Sequence, residues 1–175
     1  EAALAELDRA LLTLGATGWC GDWGLEFRPR FDVPVSLVEA DARYSRRGYE
    51  FRGQFAQVWI DNAGLLNDTL GLRVGVNPNI GSALRGFSLE GSRRVQIGRL
   101  GELGGFLRYE NFDTQYRMPA GYVPLLEFDR DAWVFGANFW PDPDVAVKVD
   151  YTVVRNQSSV ISAPNSFNVG LGWWF

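Results

Sequence analysis

Ser166-Phe167-Asn168-Val169-Gly170-Leu171-Gly172-Trp173-Trp174-Phe175 closes the chain in strict alternation. In an extended strand successive side chains point to opposite faces, so Phe167, Val169, Leu171, Trp173 and Phe175 share one face and Asn168, Gly170 and Gly172 the other. One face suits hydrocarbon and the other suits water. A half-buried strand closing a soluble β-sandwich would carry the same alternation, so the rest of the chain has to separate the two.

Upstream the period-two pattern recurs. Residues 145–153 set Val145, Val147, Val149, Tyr151 and Val153 against Ala146, Lys148, Asp150 and Thr152, and residues 131–140 gather Trp133, Phe135, Ala137 and Phe139. Further strands are expected at 103–111, 86–92, 49–60, 35–44 and, more weakly, 23–28. At 35–44 Val38, Ala40, Ala42 and Tyr44 oppose Glu39, Asp41 and Arg43; at 49–60 Tyr49, Phe51, Gly53, Phe55 and Trp59 oppose Glu50, Arg52 and Gln54. Pairing Tyr44 with Tyr49 would put Arg43 opposite Glu50 and Asp41 opposite Arg52, both pairs of opposite sign.

The connections alternate in length. Short ones at 45–48, 93–101 and 141–144 lie at the same end as Phe175, and long ones at 61–82, 113–130 and 156–165 at the other, with a helical turn expected at 63–70. Short turns at one end, long loops at the other and an even strand number are the rule for transmembrane barrels. The spacing predicts an all-β, antiparallel up-and-down transmembrane β-barrel of about eight strands.

Residues 1–15 differ. Leu4, Leu7, Leu11 and Leu14 recur at three- and four-residue steps and Gly15 supplies a stop, which predicts an amphipathic helix, packed at a barrel mouth or assembling subunits. The expected organisation is therefore helix 1–15 and β-domain 16–175. Starting at Glu1 without a methionine or secretory signal, the sequence reads as a processed mature protein or a piece of a longer one.

Composition narrows the function classes. No run of ~18 apolar residues is present, so no transmembrane helix is available. A net charge of −4 argues against a partner held by nucleic-acid phosphates. The single cysteine, Cys20, permits no intrachain disulfide and reads as a small buried or loop thiol. Histidine is absent, which excludes Ser-His and Cys-His nucleophile pairs and histidine zinc sites. No enzymatic activity, metal or other cofactor is expected.

Volume says which face points outward. The apolar faces carry large aromatics on nearly every strand, and a barrel of ~8 strands has an interior barely wide enough for ordinary side chains. Placed outside, they sort by height: Tyr44, Tyr49, Phe139, Trp173 and Phe175 beside the short turns, and Trp59, Trp133, Tyr151 and Phe167 near the long loops. This predicts two lipid-facing girdles around an apolar band. A two-sheet sandwich could instead bury the set between its sheets.

With these residues in view, the chain resembles the C-terminal part of bacterial outer-membrane porins, the broad group that includes the phosphate-selective porins. The likeness rests on Val38-Glu39-Ala40-Asp41-Ala42-Arg43-Tyr44, Gly48-Tyr49-Glu50-Phe51-Arg52-Gly53-Gln54-Phe55-Ala56, Phe106-Leu107-Arg108-Tyr109-Glu110, Val147-Lys148-Val149-Asp150-Tyr151 and the terminal strand, and covers about residues 34 to 175. Such porins are typically ~16-stranded, so the resemblance implies the latter half of one. It also implies the bacterial outer membrane as location, membrane lipids and small solutes or ions as partners, a homotrimer as one assembly, and recognition of the terminal strand by the barrel-assembly machinery. Phosphate selectivity in that group relies on lysine and arginine clusters; Lys148 is the only lysine here, a departure from that pattern.

If the apolar face meets lipid, the pore-lining residues are Glu39, Asp41, Arg43, Glu50, Arg52, Gln54, Glu90, Arg108, Glu110, Lys148 and Asp150, a mixed wall richer in acids than bases. The expected function is passive diffusion of small hydrophilic solutes or ions with a modest cation preference. Two alternatives stay open. The charges could pair and fill a plugged small barrel. A non-conducting structural or adhesive barrel could act through its extracellular loops, the second of which carries Tyr116, Met118, Tyr122, Leu125 and Leu126.

Overall fold

The computed structural model describes residues 11–22, 31–74 and 78–173. Eight strands form one antiparallel sheet in sequence order: β1 (Leu11–Asp22), β2 (Pro34–Arg46), β3 (Tyr49–Ile60), β4 (Ala83–Gln96), β5 (Glu102–Arg117), β6 (Asp129–Asp142), β7 (Val145–Asn156) and β8 (Ser166–Trp173). One helix, α1 (Ala63–Val74), lies between β3 and β4, and a 3₁₀ turn spans Leu126–Phe128. Among the described residues there is no second sheet to bury the aromatic face, so a two-sheet sandwich is not what forms. No helix among them is long and apolar enough to cross a membrane.

Three expectations need correcting. Residues 11–15, assigned to the N-terminal helix, are strand: they open β1, which crosses the expected boundary at 15/16. Residues 1–10 lie outside the described residues. The physical reason is pairing: Leu12, Leu14 and Ala16 alternate with period two, and opposite Tyr44, Ala42 and Ala40 they continue the apolar face of β2. Strand 23–28 also lies outside the described residues, so β1 is the eighth strand in its place. Cys20 is exposed on β1 rather than buried or in a loop.

The third correction is the β2–β3 register. Arg46 pairs with Tyr49 and Tyr44 with Phe51, so Arg43 faces Arg52 and Asp41 faces Gln54. The shift is two residues, which keeps every side chain on its expected face. It arises from the turn: Arg47 and Gly48 both take left-handed backbone, φ 51° and 76°. That is the tight turn whose twist matches its flanking strands. A Cβ on Gly48 would sit 2.6 Å from the Arg94 carbonyl oxygen, while Gly48 itself accepts the Arg94 N–H at 2.8 Å. Gly48→Ala is expected to destabilise by roughly 1–2 kcal/mol from left-handed strain alone, with a further cost for displacing β4. A urea midpoint unchanged from wild type would show that the hairpin closes differently.

The rungs climb across the sheet. Tyr44, just before the short β2–β3 turn, leads through Phe51, Gly91, Leu107, Phe135 and Tyr151 to Phe167, just after the long β7–β8 loop. The strands are therefore staggered in one direction, the geometry that tilts strands when a sheet curls toward a barrel.

The core is small and sits at the long-loop end. Val33, Ile60, Ala63 and Leu66 are buried together, with Phe31, Val35, Val58, Leu70, Ile80 and Leu84 packed on them. Parity puts Val35, Val58, Ile60 and Leu84 on the charged face of the sheet. Helix α1 is thus seated on that face near its loop end.

Candidate pore wall and basic groove

The register places the whole set Glu39, Asp41, Arg43, Glu50, Arg52, Gln54, Glu90, Arg108, Glu110, Lys148 and Asp150 on one face. Tyr44, Tyr49, Trp59, Trp133, Phe139, Tyr151, Phe167 and Trp173 fall on the other; Phe175 lies outside the described residues. Exposure is inverted relative to a soluble sheet. Phe51, Leu89 and Val169 are 54%, 58% and 67% exposed, whereas Asp150 is 7% exposed. The aromatics touch one another along the face: Tyr109 and Trp133 have ring centroids 4.8 Å apart, and Phe135 and Tyr151 5.6 Å.

Toward the loops the apolar face ends in polar side chains. Asn111, Asp113, Asp129 and Asp131 occupy the outward positions of β5 and β6 beyond Tyr109 and Trp133. Tyr109 donates its hydroxyl to Asp131, which also accepts from Asn111 at 3.0 Å. A ring with an apolar body and a polar tip suits the edge of a hydrocarbon layer.

On the charged face, pairing is local. Glu50 accepts from Arg43 Nε at 2.7 Å, Arg52 Nε at 2.6 Å and Ser45 Oγ at 3.1 Å. The like charges that the register sets opposite each other, Arg43 and Arg52, are thus held by one carboxylate between them. Arg108 bridges Glu110 at 2.7 Å and lies 3.7 Å from Glu90; Lys148 pairs with Asp150 at 3.2 Å, and Asp150 also accepts from Asn168 at 2.9 Å. Gln54 donates to Glu39, and Arg94 pairs with Glu102. The arginines remain wet: the Arg43 and Arg52 side chains are 51% and 53% exposed. Exposed pairs of this kind contribute little stability, about 0–1 kcal/mol each.

At the short-turn end the wall hollows into a groove of about 550 Å³ between the β2–β3 and β4–β5 hairpins. Of its charged lining residues, Arg43, Arg52, Arg94, Arg108 and Lys148 stand on the charged face with Glu50 and Glu90, whereas Arg46 and Arg93 fall by parity on the face of Tyr44 and Tyr49 and Arg47 sits in the turn. Arg46, Arg94, Phe106 and Trp140, absent from the expected pore-lining set, all line it. Their signal was weak in the sequence, because the basic residues sit at turns and strand ends where charge is ordinarily solvated.

At the other end two loops lock together over the charged face. Asn67 on α1 is buried, donating to the Ile80 carbonyl at 2.9 Å and accepting the Ile80 N–H at 2.7 Å. Gln115, also buried, bridges the Asn79 carbonyl and the Leu125 N–H at 2.6 Å each. Asn67 sits in line with Ala63, Leu66 and Leu70, and an amide on an apolar helix stripe was the readable cue.

Tyr122 closes the lock by donating to Asp68 at 2.5 Å. That hydrogen bond first, then desolvation and the charge of the carboxylate, raise the phenol above its ordinary value. A raised pKa on an acid means that the contact is intact below the ordinary tyrosine value and is lost as pH rises through the raised one. Alkaline titration followed at 295 nm should show a late component that is reduced in Tyr122→Phe and moves earlier in Asp68→Ala; an unchanged profile in both variants would disprove the latch.

No protein-family model, curated protein or solved structure matches the chain.

Proposed function

We propose that this chain forms part of the wall of an outer-membrane pore that passes small hydrophilic solutes or ions by diffusion. The observation that carries the reading is the inverted face: large apolar side chains about half exposed on one side, paired and partly wet charges on the other. A soluble protein would bury the first face and expose the second; lipid outside and water inside reverse that preference.

The arginines' exposure supports a wide bore, since a closed barrel of ~8 strands would fill its interior with side chains. In the strand order β1 and β8 stand at the two ends, and an unpaired edge in hydrocarbon costs several kcal/mol per unsatisfied backbone group. In this reading those edges are paired in the membrane, whether with each other or with further strands.

A non-conducting adhesive barrel is favoured by one feature, the exposure of Leu72, Val123 and Val160 in the long connections. Planar-bilayer recording under a salt gradient separates the two. Discrete conductance steps, with a reversal potential that moves when Glu110 and Asp150 are changed to amides, are expected; a folded, inserted barrel without steps would reject the pore.

A further inference from the structure

We propose that the apolar face carries a seat for one anionic phospholipid at its short-turn end, with Arg46 and Arg93 gripping the headgroup phosphate. The proposal rests on the membrane part of the pore reading and adds to it a lipid class and a place. The two arginines share one rung with Tyr49 between them, Arg46 pairing with Tyr49 and Tyr49 with Arg93. Their backbones are two strand spacings apart, roughly 10 Å, so both long side chains can reach one phosphate. Among the described residues no carboxylate holds either of them, whereas Arg43, Arg52, Arg94 and Arg108 on the other face are all paired. Parity also puts no Asp or Glu on the apolar side of β2, β3 or β4.

A charge facing hydrocarbon is costly, and a long side chain escapes that cost by reaching to the headgroups. Arg46 is the last residue of β2 and Tyr49 the first of β3, so the rung lies at the height of the tyrosine girdle, where that reach is short. The Arg93 guanidinium lies 4.8 Å from the Tyr49 ring centroid, a contact that steadies the cation and leaves its N–H groups to donate to phosphate oxygens. A furrow of about 500 Å³ continues from there into the apolar band, floored by the small residues Ala40, Ala42 and Gly53 and rimmed by Phe55, Phe87 and Leu89. Its near rung, Ala42 with Gly53, lies four residues from the arginine rung, about 13 Å along the strand and within the length of an acyl chain. Short turns face the periplasm in outer-membrane barrels, so the lipid belongs to the inner leaflet.

The test follows one fluorophore beside the seat. On a Cys20→Ala background the label is carried by Gly105→Cys, next to Arg93 in the register, where an added Cβ meets nothing within 4 Å. The labelled protein is folded into phosphatidylcholine vesicles, and quenching is titrated with phosphatidylglycerol or phosphatidylcholine bearing a nitroxide on the acyl chain. Phosphatidylglycerol is expected to quench at a mole fraction roughly tenfold lower, and this preference should fall about fivefold in Arg46→Gln or Arg93→Gln, the weight of one arginine at an anionic surface. The double variant should lose it, while Arg85→Gln, on the same face at the long-loop end, should keep it. A preference that survives the double variant would overturn the seat, and so would an equal loss in Arg85→Gln. Relief of the quenching by millimolar inorganic phosphate would overturn it in favour of a free-anion site. Equal quenching by the two lipids would remove the seat and leave the pore reading standing, whereas quenching by neither would take the membrane from both.

Discussion

Leu107→Arg is expected to weaken folding into lipid sharply, because it sets a charge on the apolar face of β5 while leaving the other strands unchanged. Leu107 lies on the apolar face of β5, between Gly91 on β4 and Phe135 on β6, and is 49% exposed. An arginine on the lipid face near the bilayer midplane costs about 2–4 kcal/mol. On a water-facing surface the same change would stay within ±0.5 kcal/mol or so. Folding into lipid vesicles, followed by urea titration, should show the loss for Leu107→Arg and little effect for Glu110→Gln on the opposite face. Equal stability of Leu107→Arg and wild type would mean that this face never meets hydrocarbon.

Leu66→Ala should undock the helix. Leu66 is 1% exposed and is the largest fully buried side chain among the described residues, in the small core that holds α1 to the sheet. Truncating a buried leucine costs about 2–5 kcal/mol, enough to release an element held otherwise by the Asn67 clamp and the Tyr122–Asp68 contact. The strands, joined by their own ladders, should remain paired. The expected readouts are faster proteolysis between β3 and β4 and a larger single-channel conductance, since α1 sits over the charged face. Leu72→Ala, at an 89% exposed position of the same helix, is the control and should change neither. Conductance and proteolysis unaffected by Leu66→Ala would show that α1 neither constricts the bore nor depends on this core.

How far the sequence could be read follows from where period two was clean. Strands β3 and β8 and the start of β7 were legible almost to the residue, because Tyr49 to Phe55, Phe167 to Trp173 and Val145 to Val153 alternate cleanly, whereas β7 runs on to Asn156. The loop ends of β5 and β6 ran past the expected bounds at 111 and 131, since Asp113 and Asp129 look like loop residues until their outward position above the aromatics is seen. β1 was misread because leucines at 11 and 14 satisfy a helical step, and only the pairing with β2 decides between the two periods. The β2–β3 register slipped by two because turn chemistry, not charge pairing, sets hairpin register; Glu50 then satisfied both arginines from a diagonal position. The charged face was readable as a set, whereas the groove was not: it depends on Arg94, Phe106 and Trp140 converging from β4, β5 and β6.

Alternation of environment along β3 is the most direct measurement. After Cys20→Ala, single cysteines placed in turn at residues 50–55 carry a nitroxide label in vesicles, and each label's collision with oxygen and with a water-soluble nickel chelate is measured. Labels at 51, 53 and 55 should meet oxygen and not nickel, and labels at 50, 52 and 54 should meet nickel. Nickel access at all six positions would place both faces of the strand in water and remove the membrane from the description of this protein.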